Sequence, residues 1–258
     1  MTAILQSESR PLHHWAFLLL ILLAIVVYYP GLSGDYMFDD TSNLLQNQAL
    51  EMESLDMDSL TDAAWSSGAG LLRRPVSMAS FALNRFFFGI DPFSHKVVNL
   101  VIHVLTGCLL YLFSHLLLAA YQQHRQPRLS VQAARWIPVI VCGMWLVHPL
   151  NLTSVLYIVQ RMTSLATLFM VAGLCLYVVG RMQMLRGRHG ISIILVGLFC
   201  LGGLAVLSKE NGILLPLYML VIEFTVFRFQ DMNHRPDKSI ITLFTLILAI
   251  PALLALLY

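Results

Sequence analysis

The chain has 258 residues, of which 58% are hydrophobic and only 12% charged. Apolar runs this long and this numerous exclude a water-soluble domain with one core and point to an all-α membrane protein with about seven spans. The formal net charge of +2 says little about partners; no nucleic-acid partner is expected, and the placement of the charges says more than their sum.

The first predicted span covers residues 15–32. At about 1.5 Å per residue it just crosses a hydrocarbon core of about 30 Å. Its apolar run is too long for a cleaved signal and lacks a small-residue cleavage site, so it reads as a permanent anchor. Arg10 precedes it and carboxylates follow it, which places the N-terminus in the cytoplasm by the positive-inside rule. Residues 33–94 form a long extracytoplasmic loop that opens with Gly34-Asp35-Tyr36-Met37-Phe38-Asp39-Asp40. Within it, residues 51–65 alternate acids with Met52, Leu55, Leu60 and Trp65, the pattern of a short interfacial helix. A second helix is expected from Pro75 to Phe88, with Pro75 in its first turn and Phe81, Phe86, Phe87 and Phe88 on the lipid headgroups.

Six further spans are expected between residues 97 and 257, at about 97–120, 136–147, 156–179, 191–207, 213–227 and 240–257. Together with the loop they make one transmembrane domain. On this map Arg10, Arg125, Arg128, Arg135, Arg181, Arg186, Arg188, Arg228, Arg235 and Lys238 lie inside. Arg73, Arg74, Arg85, Lys96, Arg161 and Lys209 break the bias and lie outside, with most of the acids. Glu223 sits deep in the sixth span, where it can be protonated, paired with another polar group, or close to the inner interface. Cys108, Cys142, Cys175 and Cys200 lie in apolar runs without ligand spacing and read as small buried hydrophobes.

Spans that end on one face bring their tips together. The outer tips and the large loop carry Asp39, Asp40, Arg73, Arg74, His95, His148, Arg161, Lys209 and Glu210. Two adjacent carboxylates repel, so one can hold its proton more tightly, which suits a general base. Arg binds phosphate in bidentate fashion and Lys as a point charge, so acids facing these cations suggest a base opposite an anion site. A lipid phosphate or diphosphate, with its tail in the bilayer, suits such a place. His95, Asn99 and His103 recur every four residues and form one polar stripe on the second span, which is expected to face protein or a cavity. The chain has no Gly-rich phosphate loop, no HExxH and no nucleophile elbow.

An Asp-Asp pair in the first outer loop resembles the C-type membrane glycosyltransferases. The spelling is most similar to the transmembrane O-mannosyltransferases that carry tetratricopeptide repeats, and to their bacterial relatives. The similar pieces are Phe38-Asp39-Asp40, Arg74-Pro75-Val76, residues 95–103, His148-Pro149, residues 159–166 and Lys209-Glu210-Asn211-Gly212-Ile213. The resemblance implies inverting transfer of a sugar from a polyprenyl-phosphate carrier to a hydroxyl of a protein or glycan acceptor outside the cytoplasm. It implies that Asp39 or Asp40 is the base, that Arg161, Lys209 and Arg74 hold the carrier phosphate, and that His95, Asn99, His103, His148 and Glu210 shape the site. No cofactor is implied, although some members of the class use a divalent metal. The repeats and the further spans of most relatives are missing, so a partner chain that supplies them is one expectation. A non-catalytic membrane subunit or lipid-phosphate binder is the alternative function. The compact loops favour a bacterial inner membrane, with an ER membrane as the alternative.

Overall fold

The computed structural model describes residues 12–125, 129–249 and 253, apart from the side chain of Arg125. The expectations that rest on Arg10, on the side chain of Arg125, on Arg128 and on the last part of the seventh span lie outside the described residues.

The regular structure is helical, with no strand among the described residues beyond one isolated bridge between Gln230 and Pro236. In order the helices are α1 (Leu12–Tyr28), α2 (Met57–Ala64), α3 (Pro75–Phe88), α4 (Pro92–Arg125), α5 (Val131–Leu146), α6 (Leu152–Leu156), α7 (Arg161–Met184), α8 (Ile191–Leu195), α9 (Gly202–Ser208), α10 (Leu215–Ile222) and α11 (Lys238–Phe244). A π-helical stretch, Val196–Leu201, joins α8 and α9 into one rod; another, Glu223–Phe227, extends α10.

Among the described residues five helices are long and apolar enough to cross a membrane: Leu12–Gly31, Pro92–His124, Ile158–Met184, Ile191–Ser208 and Glu210–Phe227. The expected third span does not stand alone. Val131–Leu146 continues into Pro149–Leu156 across a 51° bend at His148-Pro149, and this bent pair makes a sixth candidate. Proline has no N–H to carry the helical ladder onward, so the chain turns there. Where a seventh span is expected, the described residues hold a shorter apolar helix, Lys238–Ala249.

The long α4 and α7 form the centre, and the α8–α9 rod lies along α7 at glycines. A Cβ on Gly190 would stand 2.0 Å from the carbonyl oxygen of Gly180, so only glycine permits this approach. The largest core runs through this part, from Ala120 and Met170 through Tyr177, Leu198 and Met219 to Phe244. A second core sits beyond one end of the bundle and belongs mostly to the loop of residues 33–91: Leu44, Leu50, Met52, Ala63, Met78, Phe81 and Ala82 pack on Ile158, Val159 and Met162. The loop is therefore a folded cap rather than a solvated excursion.

Several local expectations are corrected here. The interfacial helix is shorter than residues 51–65, because Asp56 caps it by accepting from the amide of Ser59 at 2.8 Å. Phe81 points into the cap and is fully buried, whereas Phe87 and Phe88 are exposed. Cys142 and Cys175 are buried, but Cys200 is exposed on the apolar flank. For Glu223, one of the open alternatives holds: it is fully buried and paired with Arg181 at 2.9 Å, at the opposite end of the bundle from the cap.

Candidate functional site

The tips of α4, α7 and α9, the bend between α5 and α6, and the cap meet at one end. The acidic pair is presented by a strained turn: Phe38 has φ +45°, an uncommon conformation for an aromatic residue. Its two carboxylates part there. Asp40 turns inward and is fully buried; its Oδ1 accepts from the amide of Val159 at 2.7 Å and its Oδ2 from that of Met37 at 3.0 Å. Burial pushes the Asp40 carboxyl above its ordinary value, although these amides work against that shift. Asp39 turns outward and is exposed, and its amide donates to the hydroxyl of Tyr157 at 3.1 Å.

Beneath them lies Arg161, expected to face a lipid phosphate. It is fully buried instead, and four neutral oxygens take its N–H groups. Nε donates to Asn99 Oδ1 at 2.8 Å, and the Nη atoms to Asn84 Oδ1 at 2.7 Å, His95 O at 2.9 Å and Ser80 O at 3.1 Å. The guanidinium carbon stands 4.5 Å from the centre of the Phe81 ring. A buried cation satisfied only by neutral oxygens locks together α3, α4 and α7, whose residues supply every partner.

The polar stripe of α4 serves the same seam. Asn99 donates to the carbonyls of Val155 and Ile158, both at 3.2 Å, and so ties the α6–α7 junction to α4. The ring of His95 reaches the carbonyl of Asp91 at 3.0 Å, and that of His103 the carbonyl of Leu146 at 2.9 Å. Both histidines are buried. His148 caps the bend by accepting from the amide of Leu150 at 3.2 Å. Lys96, which sequence reasoning counted as an outer cation without a role, is buried and donates to the carbonyls of Gly34 at 2.7 Å and Asp35 at 3.2 Å, pinning the start of the cap.

Of the three cations expected to hold the carrier phosphate, Lys209 and Arg74 remain within reach of a ligand. Lys209 is partly buried in an extended break after α9, and its Nζ donates to Thr163 Oγ1 at 2.7 Å. Burial, reinforced by Arg74, holds this amine below its ordinary value. Arg74 and its neighbour Arg73 both have positive φ, and Arg74 pairs with Glu210 at 3.0 Å. Ser77 at the start of α3 donates to the carbonyl of Ser208 at 2.9 Å, which keeps the Arg74 turn against the Lys209 turn. Thr163 in turn donates to Gln160 Oε1 at 2.7 Å. Lys209, Thr163 and Gln160 are thus linked through their side chains, and the amide of Gln160 donates to the carbonyl of Tyr157 at 3.0 Å.

An apolar groove of about 490 Å³ runs along the α8–α9 rod, lined by Leu198, Phe199, Val206, Leu207, Gly212 and Ile213 among others; Leu207 and Gly212 flank Lys209 in the chain. Its floor depends on Gly212, where a Cβ would meet the backbone of Ala205 at 2.4 Å. The arrangement joins an exposed carboxylate and two accessible cations at one end of the bundle, with an oily groove along the rod. Among the described residues no cluster of His, Cys, Asp and Glu has the geometry to hold a metal.

No family model matches the chain, and no solved structure matches it. Curated proteins do. The chain is 28% identical, over 92% of its length, to Protein O-mannosyl-transferase TMTC4 of Homo sapiens, and covers 34% of that protein. It is 25% identical over 82% of its length to Protein O-mannosyl-transferase F38B6.6 of Caenorhabditis elegans, covering 28% of it. It is 28% identical over 60% of its length to Protein O-mannosyl-transferase TMTC2 of Homo sapiens, covering 18% of it. The chain is thus similar over most of its own length to protein O-mannosyl-transferases, and spans about a third or less of theirs.

Proposed function

We propose that the chain carries the catalytic site of a membrane glycosyltransferase that moves a sugar, mannose by the names of its relatives, from a polyprenyl-phosphate carrier to an acceptor hydroxyl. The observation that carries this reading is the parting of Asp39 and Asp40. One carboxylate is spent on two backbone amides, and the other is left exposed at the end of the bundle that carries Lys209 and Arg74.

Asp39 is the base in this reading. Its carboxylate takes the proton of the acceptor hydroxyl as that oxygen attacks the anomeric carbon. The bond from that carbon to the phosphate oxygen breaks in the same displacement, and the electron pair leaves with the phosphate. A single displacement inverts the anomeric centre. Lys209 and Arg74 offset the negative charge that grows on the leaving phosphate, Lys209 as a point charge and Arg74 with its fork. The groove beside Lys209 takes the first isoprene units. Asp40, Asn99, His95 and Arg161 hold the frame, so Arg161 is assigned to bracing rather than to the phosphate. Glu210 keeps Arg74 in place, and His103 and His148 support the helix tips.

The positive-inside pattern of the sequence supports an extracytoplasmic position for this end. The preference for a bacterial inner membrane draws no support from the relatives named above, which are animal proteins.

The test is transfer from dolichyl-phosphate mannose and from undecaprenyl-phosphate mannose in membranes that hold the chain. Asp39→Asn is expected to abolish release of mannose while carrier binding persists. Carrier binding without release in the unsubstituted chain supports the non-catalytic alternative instead.

A further inference from the structure

The stretch between α6 and α7 grips the acidic turn from two sides. The amide of Val159 donates to Asp40 Oδ1 at 2.7 Å. Two residues earlier, the hydroxyl of Tyr157 accepts from the amide of Asp39 at 3.1 Å. The ring of Tyr157 also meets the ring of Phe38 edge-on, with centroids 6.0 Å apart, the arrangement that aromatic quadrupoles favour. Phe38 is the residue with the left-handed backbone. Its strain must be held by its surroundings, and its own side chain is 84% exposed, so packing of the Phe38 ring does little of that work. Tyr157 therefore touches both the strained residue and the residue whose carboxylate the turn presents.

Tyr157 is itself well anchored. Asn99 fixes the carbonyls of Val155 and Ile158 on either side of it, and Asn99 in turn accepts from Arg161. A rigid line runs from the buried guanidinium through Asn99 and Tyr157 to Asp39. The hydroxyl lies by the Asp39 amide and near the Asp39 and Asp40 carboxylates; its partial burial first, and then the two acids, hold the phenol above its ordinary value.

We infer that Tyr157 is a positioning residue for the transfer, setting the direction in which the Asp39 carboxylate meets the acceptor hydroxyl. The inference rests on the reading of Asp39 as the base. Tyr157 need not touch either substrate. It fixes the backbone on which the base is mounted, and small errors in that placement are costly because the base must lie within hydrogen-bond reach of the proton it takes.

The experiment uses the full chain in nanodiscs and the variant Tyr157→Phe, which removes the hydroxyl and keeps the ring. Two measurements are made: amide exchange of the peptide that contains Asp39, and mannose release from dolichyl-phosphate mannose and undecaprenyl-phosphate mannose across donor concentrations. The expected result is faster exchange at Asp39, a fall in kcat of tenfold or more and an unchanged KM for the donor. Tyr157→Gln, whose carbonyl can accept from the same amide, is expected to recover part of both. Unchanged exchange in Tyr157→Phe overturns the contact, and faster exchange with unchanged kcat overturns the positioning role. If the unsubstituted chain releases no mannose although exchange differs as expected, the transferase reading fails and the inference falls with it; the exchange result separates this case from the other two.

Discussion

Replacing Arg161 with methionine separates a brace from a phosphate ligand. Methionine keeps an unbranched stem against Phe81 and removes every donor. Two side-chain oxygens, those of Asn99 and Asn84, then lose their donor, while the carbonyls of His95 and Ser80 keep their helical amides within α4 and α3. A buried acceptor left without a donor costs about 1–3 kcal/mol, so two independent losses come to about 2–6 kcal/mol. Two effects reduce the sum. The variant no longer keeps a cation out of water, and the two asparagine amides can turn toward other donors. The net expectation is a loss of about 2–4 kcal/mol, the lower part of that range. The assay is unfolding in mild detergent, compared with Lys209→Met, and binding of undecaprenyl phosphate to both. Arg161→Met is expected to unfold far more readily. Lys209→Met is expected to stay within about 1 kcal/mol of the parent, because its amine is partly exposed and bonded only to Thr163, and to bind the carrier phosphate more weakly. An Arg161→Met chain as stable as the parent but unable to bind the carrier refutes the bracing role.

Asp40→Asn is expected to cost about 1–2 kcal/mol, since one of its two amide donors meets an NH₂ group instead of an oxygen; detergent unfolding checks it. Asp40 also sets a pH dependence. Its folded pKa is raised above 3.8, so between these values the folded state binds more protons than the unfolded one. Its contribution to stability is therefore greatest at low pH and declines as the pH rises through the folded pKa; the difference between the parent and Asp40→Asn, followed from pH 3 upward on the order of four pH units, displays this slope. Gly212→Ala is expected to lose about 1–3 kcal/mol, the range for overpacking, because its Cβ would meet the backbone of Ala205 rather than a flexible side chain. Glu210→Gln is expected to change stability by about 1 kcal/mol or less, as the pair with Arg74 is partly exposed, while Arg74 loses its fixed orientation and the donor KM rises.

Much of the bundle was legible because apolar length and charge placement are local signals. The helix of residues 75–88, with Pro75 in its first turn, and the spans that became α4, α7 and the α8–α9 rod follow from hydrophobic runs, although α4 starts at Pro92, ahead of the span expected from about residue 97. The bend at His148-Pro149 was read as a turn between full spans, since proline marks where a ladder stops but not where the chain goes next. The cap was harder. Acids on its surface suggested an interfacial loop, and nothing local distinguishes Phe81, which is buried, from Phe87 and Phe88, which are not. At the site, the set of residues converges on one end, as the helix tips imply. Their division of labour was hidden. Asp39 and Asp40 are chemically identical neighbours, and only tertiary contacts with Val159 and Tyr157 assign one inward and one outward. Arg161 carries the same side chain as an anion ligand, and only the partners on α3 and α4 mark it as a brace. Tyr157 and Lys96 were missed for the same reason: their partners are backbone groups more than fifty residues away. The four-residue spacing of His95, Asn99 and His103 was the one signal that pointed toward this seam.

The central claim is that Asp39 takes the acceptor proton while the cations beside the groove hold the leaving phosphate. Mannose release from saturating polyprenyl-phosphate mannose, measured side by side for the parent, Asp39→Asn and Asp40→Asn in the same membranes, tests it most directly. Asp39→Asn is expected to lose about 10²–10⁴-fold of the rate, the usual contribution of a general base, with carrier binding and unfolding behaviour intact, while Asp40→Asn loses stability first. An Asp39→Asn chain that releases mannose at the parental rate contradicts the account.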